Sequence, residues 1–216
     1  MLASLAGQTT QTAPKEYVLE LFENYAARFD YSLLDQLEYT APKKLAEIIF
    51  ANQADEPLGS VLDLGCGTGL VGAELKNSCS NLDGVDLSNA MLEQARGKGI
   101  YDKLECSDIK EYLSFKELNF DYFIFADVFI YVGDLIDIFY SIKSRNKKHG
   151  AKMVFSTEHS EKDGYSLEKS GRYSHSKKYI ESLCETFGYE LLHFETQALR
   201  KDRNQYISGG LYLLGF

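Results

Sequence analysis

The sequence has no tryptophan, only three prolines among 216 residues, and no apolar run of the ~18 residues that a membrane-spanning helix needs. It also has no excess of positive charge: the formal net charge is −9, which argues against nucleic acid as the main partner. Its four cysteines form no C-x-x-C pair, so we expect reduced thiols. The N-terminus has no charged-then-apolar signal pattern. We therefore expect a cytoplasmic protein with no membrane partner.

A glycine-rich turn directly follows an apolar run in residues 61–69, which read VLDLGCGTG. Such a pattern is typical of a buried strand that ends in a tight turn and opens a helix, with glycines where a ligand approaches the backbone. The spacing from Gly65 is G-x-G-x-G, whereas the dinucleotide fingerprint is G-x-G-x-x-G and would place its third glycine at Leu70. A pyrophosphate on this helix N-terminus is therefore not the ligand that fits best.

Carboxylates end three further strand-like segments. Asp86 closes residues 81–86 and lies 21 residues after Gly65, the spacing at which a strand-end carboxylate accepts hydrogen bonds from ribose hydroxyls. Asp108 follows a third such segment, and Asp127 ends the nearly continuous apolar run of residues 120–127. Because the carboxyl ends of parallel strands meet at one sheet edge, these groups predict one ligand site there.

The hydrophobic periodicity divides the chain into three parts. Residues 1–14 are small and polar and are expected to form a flexible tail, and residues 15–54 carry helical stripes that predict a helical cap. In residues 55–216, strands and helices alternate, which predicts a doubly wound α/β domain. We expect a mostly parallel sheet of about seven strands with a C-terminal antiparallel hairpin that turns at residues 201–204.

These motifs resemble those of class I methyltransferases that use S-adenosylmethionine, with D-x-G-x-G-x-G as motif I. From about residue 15 onward the chain is similar to predicted methyltransferases with tetratricopeptide repeats, on residues 21–30 (LFENYAARFD), 126–135 (ADVFIYVGDL) and 170–176 (SGRYSHS). This chain has no repeat region, whereas longer relatives are expected to carry one as a partner region; the chain is therefore either a catalytic piece of a larger protein or a naturally short form. The resemblance implies a Rossmann-like methyltransferase fold and a cofactor without a metal ion.

The resemblance also implies roles for individual residues. It places the methionine part of the cofactor at motif I, the ribose at Asp86, the adenine at the second and third strand ends, and the reacting face at the fourth. The implied cofactor-binding residues are Asp63, Gly65, Cys66, Gly67, Gly69, Asp86, Leu87, Met91, Asp108, Ile109, Ala126 and Asp127, with Tyr25 and Arg28 from the cap.

The acceptor is expected at the same sheet edge, in a pocket between the cap and the later loops. Its expected lining consists of Tyr31, Phe129, Tyr131, Arg172 and Tyr173. His159 follows a predicted strand, and His175 lies in a loop just before a helix, so these two histidines are the candidates for a general base.

The function that the sequence favours is methyl transfer from S-adenosylmethionine to a small-molecule acceptor. An oxygen or carbon nucleophile would use one base, whereas an amine needs mainly orientation. Two alternatives stay open: a methyltransferase that acts on protein or nucleic acid, and a non-catalytic module that only binds the cofactor. Proline is absent from residues 126–129 after the fourth strand, which argues against base methylation.

Overall fold

The computed structural model of the chain describes residues 8–53, 57–202 and 205–216. The cap contains helix α1 (Lys15–Tyr25), three short helical turns (Ala26–Arg28, Phe29–Tyr31 and Ser32–Gln36) and helix α2 (Ala41–Ala51). The first half of the α/β domain contains β1 (Ser60–Leu64), α3 (Leu70–Leu75), a turn (Lys76–Ser78), β2 (Asn81–Asp86), α4 (Asn89–Lys98), β3 (Lys103–Cys106) and α5 (Ile109–Phe115).

The second half begins with β4 and ends with a long hairpin. It contains β4 (Tyr122–Phe125), a turn (Phe129–Tyr131), α6 (Ile136–Arg145), β5 (Lys152–His159), β6 (Tyr165–Leu167), β7 (Tyr173–His175), α7 (Lys177–Phe187), β8 (Glu190–Asp202) and β9 (Gln205–Gly215). Within the described ranges, no helix is long and apolar enough to cross a membrane.

The strands form one mixed sheet in the order β3-β2-β1-β4-β5-β7-β6, with β9 antiparallel to β5 and β8 antiparallel to β9. Strands β1 to β5 are parallel to one another, so their carboxyl ends share one edge. This confirms the doubly wound class with a C-terminal hairpin. The described residues contain nine strands rather than about seven, because the short β6 and β7 add a small ribbon beside the end of β5.

Alternating side chains of the central strands pack against helices on both faces of the sheet. On one face Leu62 and Phe123 pack with residues of α5, α6 and α7. On the other face Val61 and Ile124 pack with residues of α2 and α3. Burial on both faces explains why these strands read as continuous apolar runs. The rigid sheet therefore fixes the positions of the residues at its carboxyl edge.

Local signals set several element boundaries. Ser88 caps α4, since its hydroxyl accepts a hydrogen bond from the Met91 amide at 3.2 Å. Thr40 occupies the N-cap position of α2 but makes no side-chain cap, because its hydroxyl donates to the Leu199 carbonyl instead.

His175 was expected in a loop and lies in β7, where it pairs in register with His159 of β5. Three-residue strands leave no periodicity in a sequence.

Two expectations concern the flexible tail at residues 1–14 and the hairpin turn at residues 201–204. Residues 1–7 lie outside the described residues, whereas residues 9–13, also expected in the tail, pack along the body. The Ala13 amide donates to the Tyr131 carbonyl at 2.9 Å, and the Gly133 amide donates to the Gln11 carbonyl at 2.9 Å. Of the hairpin turn expected at 201–204, Lys201 and Asp202 belong to β8, and residues 203–204 lie outside the described residues.

Candidate functional site

A cavity of about 720 Å³ lies at the carboxyl edge of the sheet, beneath the cap. Its floor is formed by the ends of β1, β2 and β4 and the loops that follow them. Its roof is formed by cap side chains that include Phe22, Tyr25, Arg28 and Phe29. The volume is within the range of small-molecule and cofactor sites, and the lining combines apolar walls with a few polar groups.

The glycine-rich loop after β1 leaves room at the cavity floor. Gly65 has φ of +75° and Gly67 has φ of +55°, a region that side-chain-bearing residues avoid. A Cβ on Gly65 would lie 2.4 Å from Cγ2 of Val128, so any larger residue there would have to displace the Val128 side chain. The sequence therefore uses glycine both for the turn and for the close packing of this loop.

Asp86 at the end of β2 holds the loop in place. Its Oδ2 accepts a hydrogen bond from the Gly67 amide, and its Oδ1 accepts one from the Ser88 amide, each at 2.8 Å. Burial raises the pKa of Asp86 to about 6, and these amide donors partly oppose that shift. The carboxylate is thus oriented by the backbone at the floor of the cavity, with capacity to accept further hydrogen bonds.

Asp63 in β1 carries a buried oxygen that forms no hydrogen bond with any described residue. It lines the cavity and is 1% exposed. Its Oδ2 accepts a hydrogen bond from the Tyr101 hydroxyl at 2.7 Å, whereas its Oδ1 has no partner among the described residues. Burial raises the pKa of Asp63 to about 7. A buried acceptor without a partner is costly, so this atom fits a donor supplied by a ligand.

The β2 and β3 side of the cavity combines apolar and polar contacts. Leu87, Met91 and Ile109 line it, and Met91 is 1% exposed. Asp108 lines it as well and caps α5, with Oδ1 accepting from the Lys110 amide at 2.9 Å. An apolar slot with one carboxyl at its rim suits a flat ring that has a polar edge.

The opposite side, beyond β4, is organised by a buried arginine. Arg200 of β8 lines the cavity, is 2% exposed, and forms ion pairs with Asp127 and with Glu158, the latter at 2.5 Å. Asp127 has φ of +55° and accepts a hydrogen bond from the Ser156 hydroxyl at 3.2 Å. Because Arg200 links Asp127 to Glu158, the turn after β4 is fixed despite its unfavourable backbone.

Two sets of contacts attach the cap to the floor. Glu23 accepts hydrogen bonds from the Ser88 hydroxyl at 2.8 Å and from the Ala90 amide at 3.1 Å, at the N-terminus of α4. These donors lower the pKa of Glu23, the Ala90 amide most of all. Asp30 accepts from the Thr68 hydroxyl and from Lys98. The cap is therefore held closed by polar contacts at its edges.

The structure brings most of the expected ligand residues to this cavity. Those that line it are Tyr25, Arg28, Asp63, Gly65, Cys66, Gly67, Asp86, Leu87, Met91, Asp108, Ile109, Ala126, Asp127, Tyr131 and Arg172. Gly69 does not line it, but caps α3 with φ of +90°. Their roles toward a ligand stay predictions.

Five other expected residues do not line the cavity. Tyr31 is 63% exposed, whereas Phe129 and Tyr173 are fully buried in the interior. His175 is fully buried, and its Nε2 donates to the Gly133 carbonyl at 2.9 Å. Burial lowers the pKa of His175 to about 4, so it is neutral at physiological pH. His159 lies at the end of β5, with Nε2 3.1 Å from Glu161. Neither histidine is placed to act as a base in the cavity.

Tyr39 and Arg200 are among the cavity residues that the sequence did not identify. Tyr39 precedes α2, lines the cavity and is 8% exposed. Arg200 lies near the end of a strand whose pattern indicates a hairpin and nothing more. Neither belongs to a local motif. Only the long-range pairing of β8 with β9, and of β9 with β5, brings Arg200 to the edge of the sheet.

Comparisons with known proteins agree with this architecture. Residues 61–150 match a family described as methyltransferase domain. Human methyltransferase-like protein 27 is 36% identical over 106 residues, which are 48% of this chain and 43% of that protein. The biotin biosynthesis bifunctional protein BioHC of Saccharophagus degradans is 31% identical over 147 residues, 66% of this chain and 25% of that protein. The chain thus spans less than half the length of either curated relative.

A solved structure shows the same fold over nearly the whole chain. Magnesium protoporphyrin IX methyltransferase from Synechocystis, with bound S-adenosylhomocysteine, superposes with a TM-score of 0.70 at 15% identity, covering 93% of this chain and 98% of that one. The match to the methyltransferase domain family is thus limited to residues 61–150, and the chain has the fold of S-adenosylmethionine-dependent methyltransferases. The resemblance to the tetratricopeptide-repeat subgroup stays a prediction.

Proposed function

We propose that the chain binds S-adenosylmethionine in the cavity at the sheet edge and transfers its methyl group to a small-molecule acceptor. The observation that carries this proposal is the buried Oδ1 of Asp63, which has no hydrogen-bond partner among the described residues, together with the glycine turn after β1 and the Asp86 carboxylate that the Gly67 amide orients. The match of residues 61–150 to methyltransferase domains supports it.

The cavity residues fit the parts of this cofactor. Asp63 would accept a hydrogen bond from the amino group, and the glycine loop leaves space for the amino-acid part. Asp86 would accept hydrogen bonds from the ribose hydroxyls, while Leu87, Met91 and Ile109 would pack on the adenine beside Asp108. From the roof, Tyr25 and Arg28 would close over the cofactor, with Arg28 stacked 5.4 Å from the Tyr25 ring centroid.

The bound sulfonium supplies an activated methyl group, so the protein's main task is alignment. The rigid strand ends hold the ligand-facing groups in fixed positions, and the cap excludes water from the cavity. Because neither His159 nor His175 lines the cavity, we assign no histidine a role as general base. The proposed mechanism rests on orientation and desolvation of the acceptor.

The shape of the cavity favours a small acceptor. The side beyond β4, where Tyr39, Tyr131 and Arg172 lie, is part of the same cavity under the cap. A nucleic-acid base or a protein side chain would have to enter beneath that cap. A small molecule requires only that the cap open and close.

Isothermal titration calorimetry tests the cofactor assignment. The chain should bind S-adenosylhomocysteine, and Asp86→Ala should weaken binding roughly 10- to 100-fold, since charge-assisted hydrogen bonds contribute ~1.5–3 kcal/mol. Asp163→Ala is the matched control, because its side chain is 76% exposed and pairs only with Lys178 among the described residues. Binding of NAD with no binding of S-adenosylhomocysteine would refute the proposal.

Methyl transfer itself is measured with methyl-labelled cofactor and a metabolite extract. Mass spectrometry should find label in a small molecule when the wild-type chain or Asp163→Ala is present, and little label with Asp86→Ala. If cofactor binds tightly but label enters only added protein or nucleic acid, the small-molecule part of the proposal is wrong.

A further inference from the structure

One side of the cavity is lined by hydrogen-bond donors. Arg172, Arg200, Tyr39 and Tyr131 all line the cavity. Arg200 contacts the turn after β4 and the end of β5, and Arg172 directly precedes β7. In the sheet order, the ends of β3, β2, β1 and β4 carry the groups assigned to the cofactor, so the ends of β5 and β7 are left for the acceptor.

The two arginines differ in how far the protein uses their charge. Arg200 is held between Asp127 and Glu158 in close ion pairs. Among the residues that the structure describes, Arg172 approaches carboxylates through Nη1 alone, at 3.8 Å from Glu158 and 3.5 Å from Asp202. These separations exceed the ~2.7–2.9 Å of a charge-assisted hydrogen bond. Among the described residues, Nε and Nη2 of Arg172 have no hydrogen-bond partner, so this edge of the guanidinium can donate two parallel hydrogen bonds to a ligand.

Two tyrosine hydroxyls are also free at this side. Neither Tyr39 nor Tyr131 donates a side-chain hydrogen bond to another described residue, although Tyr39 is only 8% exposed. Burial raises the pKa of Tyr131 to about 12, with a smaller opposing effect from the positive charge of Arg172. Burial also raises the pKa of Tyr39, so both hydroxyls keep their protons at physiological pH and can donate to an acceptor oxygen.

We propose that the methyl acceptor carries a carboxylate, which binds to the guanidinium of Arg172 with the Tyr131 hydroxyl as a second donor. This inference rests on the proposed function, since it names the class of acceptor for the same cavity. A planar guanidinium matches a carboxylate in two parallel hydrogen bonds. A singly charged group fits better than a phosphate dianion, because the two carboxylates of Asp127 and Glu158 outnumber the single positive charge of Arg200, so Arg172 is, in the described part of the chain, the one cation left for an anionic ligand at this side.

The proposal predicts how anionic probes bind to the complex of the chain with S-adenosylhomocysteine. The probes are 3-phenylpropionate, indole-3-acetate and octanoate, each paired with its primary amide, and phenyl phosphate. Ligand-observed NMR titration should show at least one acid binding about tenfold or more tightly than its amide. Arg172→Gln should remove that preference and leave the amide's affinity unchanged. Arg172 is 29% exposed, so the variant should fold.

Arg96→Gln is the matched control, because Arg96 pairs with Glu93 on the exposed side of α4 and does not line the cavity. It should keep the preference for acids. Any of four results would overturn the inference. The acids and amides could bind equally, no acid could bind, phenyl phosphate could bind more tightly than the acids, or the acid preference could survive Arg172→Gln. Failure of the wild-type chain to bind S-adenosylhomocysteine would instead refute the proposed function.

Discussion

Replacing Asp63 with asparagine should remove most of the pH dependence of cofactor binding between pH 5 and pH 7. Burial raises the pKa of Asp63 to about 7, and its Oδ1 is the buried atom that we assign to the amino group of the cofactor. Only the ionised carboxylate accepts a strong hydrogen bond from an ammonium group. An α-amino group has a pKa of about 7.7–8.0, so it stays mostly protonated throughout this range.

The magnitude follows from the fraction of Asp63 that is ionised before binding. With a pKa of about 7, that fraction falls from about one half at pH 7 to about one hundredth at pH 5, so the affinity should fall roughly 50-fold. The pKa of Asp86, about 6, adds up to a further tenfold. In the Asp63→Asn variant, only the decrease in affinity of up to tenfold that comes from Asp86 should remain.

In the ligand-free protein, ionisation of Asp63 has the opposite effect: it lowers the stability of the fold. Because the folded-state pKa of Asp63 lies above its value of 3.8 in an unfolded chain, the unfolded chain releases this proton first as the pH rises. The free energy of unfolding should therefore fall between about pH 4 and pH 7, and Asp63→Asn should remove that fall. A bound ammonium group supplies the missing partner and restores stability.

Calorimetric titration of S-adenosylhomocysteine at pH 5, 6 and 7 measures the effect. Repeating each titration in buffers of different ionisation enthalpy counts the protons released. Wild-type chain should release protons on binding below pH 7, and Asp63→Asn fewer. Equal affinities at pH 5 and pH 7 in the wild type, or an identical slope in the variant, would show that Asp63 does not contact the amino group.

Two further substitutions test the cap and the buried arginine. Glu23→Gln should accelerate hydrogen exchange of residues 15–31 and weaken S-adenosylhomocysteine binding about two- to fivefold, because it removes a charge at a helix N-terminus worth ~0.3–1 kcal/mol. Glu20→Gln is its control, and equal exchange in both variants would contradict the role of Glu23 in holding the cap. Arg200→Met should lower the free energy of unfolding by about 3–5 kcal/mol, since two carboxylates lose their partner. Urea unfolding measures this, and a loss below about 1 kcal/mol would mean that the pairs are not structural.

Much of the site could be predicted because its groups follow strand ends. Asp63, Asp86, Asp108 and Asp127 each mark the end of an apolar segment in the sequence, and all four line one cavity. The reason is geometric: parallel strands with burial on both faces bring their carboxyl ends to one edge. The glycine spacing was equally local, and its left-handed backbone angles confirm the tight turn.

The part of the site that the sequence did not predict depends on contacts between distant parts of the chain. Arg200 reaches the cavity only because β9 pairs with β5 and β8 pairs with β9, which no short segment encodes. His175 looked available because polar neighbours and a following helix suggested a loop, yet β7 buries it against Gly133. Tyr39 lies in a stretch without periodicity. Sequence patterns located the floor of the cavity, whereas its acceptor side required the assembled fold.

A crystal structure of the chain with S-adenosylhomocysteine is the most direct test of the central claim, that one cavity holds the cofactor on one side and the acceptor on the other. We expect ribose hydroxyls at Asp86, the amino group at Oδ1 of Asp63, and an open space beside Arg172. A nucleoside placed against Arg172 and Arg200, or a cavity without ligand in a saturated crystal, would contradict it.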